Sequence, residues 1–117
     1  MAAETPPDHK TPDHKTIVQK LIGDIAPKLA AITDDVLFGD VWERPGLAKR
    51  DRSLITVAAL MAMNRLEQLP FHLGFALDNG VTRDELVEEI TQLAFYSGWP
   101  TAMSALAIAR KVFAEKA

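Results

Sequence analysis

The 117-residue chain contains no cysteine. That absence removes disulfides, zinc–thiolate sites and every thiol-based redox mechanism at once. Aromatic residues are scarce, 7% of a chain that is 48% hydrophobic. Alanine and aliphatic side chains must therefore fill the core, which favours helices over a β-sandwich. No apolar run approaches the roughly 18 residues of a membrane span, so no membrane partner is expected. Basic charge is not in surplus: 13 Lys and Arg stand against 16 Asp and Glu, for a net charge of -3. Without a basic footprint, nucleic acid is not an expected partner. The opening MAAETPPDHK lacks a basic segment followed by an apolar run, so no signal peptide is expected and the cytoplasm is the expected location. Only one histidine, His72, lies outside the N-terminal tail. With no carboxylate pair near it in sequence, no metal site is expected.

What is present reads as one helical domain over 17–117 behind a polar tail over 1–16. The tail repeats Pro-Asp-His-Lys-Thr at 7–11 and 12–16 and has no apolar anchor, which predicts a mobile arm. Ile17–Ile22 is a short amphipathic helix closed by Gly23. Pro27 suits the first turn of a second helix, running through Leu29, Ile32, Val36 and Leu37 and fading near Gly39. The Pro45-Gly46 turn leads to a third helix from about Ala48 to Asn64, apolar on almost every side, which predicts burial and hence a partner subunit. Ser53, Thr56 and Asn64 form a polar seam along it.

The stretch Glu67–Asn79 is the best-bounded helix, with Pro70 near its start and Gly80 past its end. Leu66, Leu69, Leu73, Ala76 and Leu77 form its core stripe, and Gln68, His72 and Asn79 line one border. Phe71 and Phe75 lie on another side, where an interface between copies would cover them. Thr82-Arg83-Asp84-Glu85 is a capping box for the next helix, Arg83–Ser97. The tight reversal predicts that these two helices pack antiparallel, with Glu85, Glu88 and Glu89 mostly outward. A last helix follows Gly98-Trp99-Pro100 to Lys116, and its many alanines predict close helix–helix approach. No strand pattern occurs, so the fold class is all-α.

GDVWERPGL at 39–47, RDRSLITVAAL at 50–60, the His72 helix, ALDNGVTRDEL at 76–86 and AFYSGWP at 94–100 resemble the carboxymuconolactone decarboxylase family. The resemblance implies a compact all-α bundle of about six helices of the alkylhydroperoxidase D type, assembled as a homotrimer or homohexamer. The peroxidase branch of that family uses a glutamate, a Cys-x-x-Cys pair and a relay histidine. Aligned on His72, the cysteine positions hold Arg65 and Gln68 and the glutamate position falls on Ser53, so thiol peroxidase chemistry is excluded. The decarboxylase branch fits better and implies a cofactor-free lyase acting on a carboxylated lactone, a small-molecule substrate. Departures from that branch fall at Gly74, where a basic residue is usual, at Met103, where an asparagine is usual, and at Trp99, where a small aliphatic residue is usual.

His72 beside an apolar stripe is either a hydrogen-bonded structural residue or a general acid/base working near neutral pH. Its place in the motif favours the second, at the edge of a small pocket. Loss of CO2 from a carboxylactone leaves a carbanion that an imidazolium can protonate. Arg44 and Arg65 are the candidate anchors for the substrate carboxylate. Arg50 reads as a surface residue, and Arg52 as an internal partner for an acid such as Glu89. Ser53 and Gln68 are candidate lactone contacts, and Trp99 a candidate pocket wall. The alternative reading is a non-catalytic oligomeric module that binds a small apolar or aromatic molecule.

Overall fold

A computed structural model describes residues 16–116, so the repeated tail motif, apart from its final Thr16, lies outside the described residues. Among those residues all regular structure is helical. They fall into two compact units that divide between Arg44 and Pro45.

The first unit holds α1 (Ile17–Ile22), α2 (Pro27–Ile32), a π-helical turn (Thr33–Phe38) and a 3-10 turn (Val41–Glu43). Thr16 caps α1 by accepting from the Gln19 backbone N–H, and Gly23 closes the helix as its sequence signal predicts. Asp34 ties α1 to the π turn: its Oδ2 accepts from Thr16 Oγ1 and Gln19 Nε2, each at 3.1 Å. The second helix begins at Pro27 as expected, but its ladder widens into the π turn before reaching Gly39. Thr33, Asp34 and Asp35 are poor α-formers, and the Thr33 hydroxyl donates back to the Leu29 carbonyl at 2.8 Å, competing locally with the α ladder. Trp42 stacks on Phe38 with ring centroids 6.0 Å apart.

The second unit is built from α3 (Lys49–Ala62), α4 (Leu69–Asp78), α5 (Arg83–Leu93) and α6 (Trp99–Lys116). Its core joins Val57 and Met61 of α3, Leu69, Leu73 and Ala76 of α4, Leu86 and Ile90 of α5, and Ala102, Ala105, Ala109 and Val112 of α6. The alanine stripe of α6 does allow close approach. A Cβ built on Gly74 of α4 would stand 3.2 Å from Lys116 Cε and 3.9 Å from Val112 Cγ1. Gly74 is thus a packing residue at the α4–α6 crossing. α4 and α5 each pack against α3 and α6. The expected antiparallel pairing of α4 with α5 is not how they bury their faces, because each has its apolar stripe turned to those two helices instead.

The C-terminal ends of α3 and α4 are fixed by backbone bonds. Asn64, with φ 57°, closes α3 in a Schellman motif: its N–H donates to Met61 O, and that of Arg65 to Leu60 O at 2.7 Å. The same motif closes α4, with Gly80 at φ 97° and the Val81 N–H on Ala76 O at 2.9 Å. Asn64 therefore terminates α3 rather than extending its polar seam. The Thr82/Glu85 capping box forms as predicted. The all-round apolar α3 leaves Ile55 and Met63 exposed within a single chain, at 57% and 58%.

Candidate functional site

His72 lies on the second turn of α4, one turn after the N-cap residue Gln68, to whose carbonyl its backbone N–H donates. Its imidazole is half-buried and is flanked edge-on by two phenylalanines, Phe71 at 5.0 Å and Phe75 at 6.2 Å between ring centroids. Those two rings stack on each other at 5.5 Å. The i, i+1, i+4 spacing brings all three rings to one side of α4, so the phenylalanines build the histidine's surroundings. Burial among them lowers the His72 pKa from its ordinary 6.5. Desolvation penalises the imidazolium, and the side chain is predominantly neutral at pH 7.

The other predicted site residues spread around this helix. Ser53 is fully buried and its Oγ accepts from Asn79 Nδ2 at 3.0 Å, joining α3 to the end of α4. Gln68 is exposed at the head of α4, and Arg65 is exposed in the preceding connection. Arg65 precedes the helix, since α4 begins only at Leu69. Trp99, 61% exposed, stands at the start of α6 with its ring edge-on to Phe95 at 5.9 Å. Met103, at 57% exposure, lies one turn further along the same helix. Arg44 belongs to the first unit, where its N–H closes the 3-10 turn on Val41 O at 3.3 Å.

A second cluster of charge lies between α3 and α5. An open cleft of about 390 Å³ runs between α3 and α5. Arg50, Leu54 and Ala58, spaced one turn apart, form its α3 wall, and Glu85, Glu88, Glu89 and Leu93 contribute from α5. None of its lining residues belongs to α4, so it is not the pocket expected beside His72. Arg50 is not simply solvated: its guanidinium is ion-paired with Glu85 across the cleft. The Glu85 carboxyl is held below its ordinary pKa first by the Thr82 backbone N–H and then by Arg50.

Glu89, read as outward, is half-buried in this cleft, and its Oε1 is sealed from solvent without accepting a hydrogen bond. Desolvation raises its pKa to about 7. The expected pairing with Arg52 is not made at that atom, and Arg52 Nε instead donates to Leu47 O at 3.1 Å. The sequence offered Glu89 as an internal acid for Arg52, but three glutamates in five residues otherwise look like a solvated face, and its unpartnered burial was not foreseen. The available signal was its spacing, three residues after Leu86 and four before Leu93, which sets it against the core stripe.

Among the described residues no group of His, Asp and Glu has the arrangement of a metal site, and no helix is long and apolar enough to cross a membrane.

The carboxymuconolactone decarboxylase family matches residues 27–111. Over 76 residues the chain is 45% identical to 4-carboxymuconolactone decarboxylase of Acinetobacter baylyi, covering 65% of this chain and 57% of that protein. It is 35% identical over 74 residues to nitrosuccinic acid decarboxylase of Metarhizium robertsii, covering 63% and 52% respectively. An uncharacterized 15.0 kDa protein of Paracoccus denitrificans is 33% identical over 94 residues, covering 79% of this chain and 70% of that protein. The chain thus spans a little over half the length of the two decarboxylases it matches.

Proposed function

We propose that this chain, which belongs to the carboxymuconolactone decarboxylase family, is a cofactor-free lyase that removes CO2 from a carboxylated lactone, with His72 handling the proton. The observation that carries the reading is a half-buried imidazole flanked by two phenylalanine rings on a helix whose C-terminal end is fixed. Relatives named for decarboxylation of 4-carboxymuconolactone and of nitrosuccinic acid support it. In both substrates an electron-withdrawing group can accept the electron pair that the departing CO2 leaves behind. The demand on the protein is then to desolvate the carboxylate and deliver one proton to carbon.

The resting neutrality of His72 suits that demand. A substrate carboxylate arriving beside it favours the imidazolium and raises its pKa. The proton is thereby taken up from solvent as substrate binds. When the C–C bond breaks, its electron pair passes onto the lactone system as an enolate, CO2 leaves, and the imidazolium protonates the carbon, returning to the neutral form. Arg65, exposed just ahead of α4, is the carboxylate anchor within the same unit, and Gln68, one turn before His72, is the lactone contact. Ser53 acts through Asn79, since its hydroxyl is buried and already engaged. Self-association as a trimer or hexamer would cover Phe71, Ile55 and Met63.

The test follows lactone absorbance in the ultraviolet for wild type and His72→Ala, with circular dichroism as the fold control. Wild-type turnover that falls at least 100-fold in the variant is expected; equal rates, or no turnover of any carboxylactone, sink the reading. The aromatic walls around His72 favour one other reading, a non-catalytic module that binds a neutral aromatic molecule. Tryptophan fluorescence separates the two: a preference for neutral over carboxylated ligands, unchanged across the histidine pH range, selects the module.

A further inference from the structure

The first unit does not bury its own apolar residues. Among its described residues only Ala30 and Trp42 are buried, while eight large aliphatic side chains between Ile17 and Val41 are exposed, by 38% to 79%. A unit this small has too little interior to cover such residues by itself. Their combined exposed area is on the order of the 800 Å² that each side of a standard protein interface buries.

The exposed residues are ordered. One side of the second helical segment is used within the unit: Ala30 is buried there, and Asp34, one turn on, accepts from Thr16 and Gln19. Away from that side run Ile25 in the preceding turn, Leu29 and Ile32 of α2, and Val36 of the π turn, all exposed. Their spacing of four, three and four residues is that of the seam between two paired helices. Lys28, Asp34 and Asp35 are the charged residues of α2 and the π turn. With Asp34 engaged, the two beside the seam are Lys28 and Asp35, both exposed. They stand a heptad apart, on one flank of the seam and toward its opposite ends.

We propose that a second copy of this chain covers the seam, the two α2 segments lying antiparallel about a twofold axis that passes between Leu29 and Ile32. Leu29 then faces the partner's Ile32, Ile25 faces the partner's Val36, and Lys28 lies beside the partner's Asp35. A second copy is favoured over an unrelated partner because the seam is its own complement. Turned through a half-circle, it sets aliphatic against aliphatic and each cation against an anion, as an isologous contact requires. A parallel pairing lacks this match, since it sets Lys28 level with Lys28 and Asp35 level with Asp35. The contact is separate from the second-unit residues Phe71, Ile55 and Met63 and does not depend on the lyase reading. Because an isologous contact closes on itself, it doubles whatever assembly those residues form.

Because the chain has no cysteine, introduced cysteines report the contact in the full chain without background. Ile25→Cys and Val36→Cys chains, mixed, equilibrated and gently oxidised, are expected to form a disulfide with each other and not with themselves. Each variant linking to itself as readily as to the other, or no linkage in the mixture, overturns the proposal. Light scattering at micromolar concentration gives a second measure. The double variant Leu29→Asp, Ile32→Asp is expected to halve the wild-type mass with unchanged circular dichroism, since both side chains are exposed in the single chain. An unchanged mass, or a wild type that is already a monomer, overturns it. Should the double variant fail to fold, the cysteine pair decides.

Discussion

His72 and Glu89 lie on successive helices of one unit, and burial pushes both toward their uncharged forms, the histidine below its ordinary pKa and the glutamate up to about 7. Their surroundings differ in kind. His72 is set among aromatic edges on α4, in the helix that carries the family motif. Glu89 is set between aliphatic side chains and other carboxyl groups in an open cleft. The same desolvation thus acts on two groups of opposite charge type. A neutral imidazole is ready to gain a proton when an anion arrives, whereas a carboxyl held neutral by burial ionises only as pH rises through about 7.

The largest effect that could break this contrast is on turnover. His72→Ala should lower decarboxylation at least 100-fold, while Glu89→Gln should leave it within about twofold, because no residue of α4 lines the cleft. Comparable losses in the two variants, measured at saturating lactone, would show that the two regions serve one reaction and that the division drawn here is wrong.

A second test uses stability. Glu89 is protonated more readily in the folded chain than in the unfolded one, with a pKa of about 7 against 4.5. The protonated form's contribution is fully present below pH 4.5 and is lost as pH rises through 7. Glu89→Gln, which cannot ionise, should accordingly be more stable than wild type at pH 8. The gain is about 2 kcal/mol once solvent screening of a half-buried group is allowed for. It should vanish at pH 4. Urea midpoints at the two pH values check this, and a pH-independent difference would mean that packing, not charge, sets the Glu89 environment.

Much of the helical framework was legible because its punctuation is chemically explicit. Gly23, Pro27, the Thr82/Glu85 box and Gly80 all mark ends that the structure realises. What could not be read were features that depend on competition between elements. Asn64 looked like one more polar residue on α3, yet it tolerates the left-handed conformation and ends the helix. The π turn replaces a continuous second helix where Asp34 is drawn to α1 by Thr16 and Gln19. At the candidate site the histidine and its helix were visible in the motif, but its aromatic collar and the direction of its pKa were not. The Arg50–Glu85 ion pair went unread because it comes from α3 facing α5, a pairing that no local pattern encodes.

A smaller effect sharpens the histidine side of the contrast. Free His72 titrates below 6.5, and its pKa should rise with the substrate carboxylate beside it. The pH profile of kcat/KM reports the free protein and that of kcat the complex. Both should fall with increasing pH as the imidazolium is lost. The midpoint for kcat should lie higher than that for kcat/KM, because the bound carboxylate favours the imidazolium. Coincident midpoints would mean that the substrate carboxylate does not sit beside the imidazole, and the anchor assigned to Arg65 would have to move.

The smallest expected effect comes from Ser53, a buried polar group whose hydrogen bond is made. It is as buried as any core residue of α3, but its hydroxyl is matched by Asn79 Nδ2 at 3.0 Å, so burial alone does not distinguish it from Glu89. Ser53→Ala removes the acceptor and leaves the Asn79 amide short of a partner at the end of α4, at a cost of about 1 kcal/mol. Neither group titrates, so the loss should be the same at pH 4 and pH 8, opposite in sign and in pH behaviour to the gain from Glu89→Gln. Because Asn79 caps the helix that carries His72, a modest fall in kcat with unchanged pH midpoints should accompany it. A shift in the midpoints would show instead that the Ser53–Asn79 bond reaches the imidazole, and that the quiet buried pair belongs to the chemistry after all.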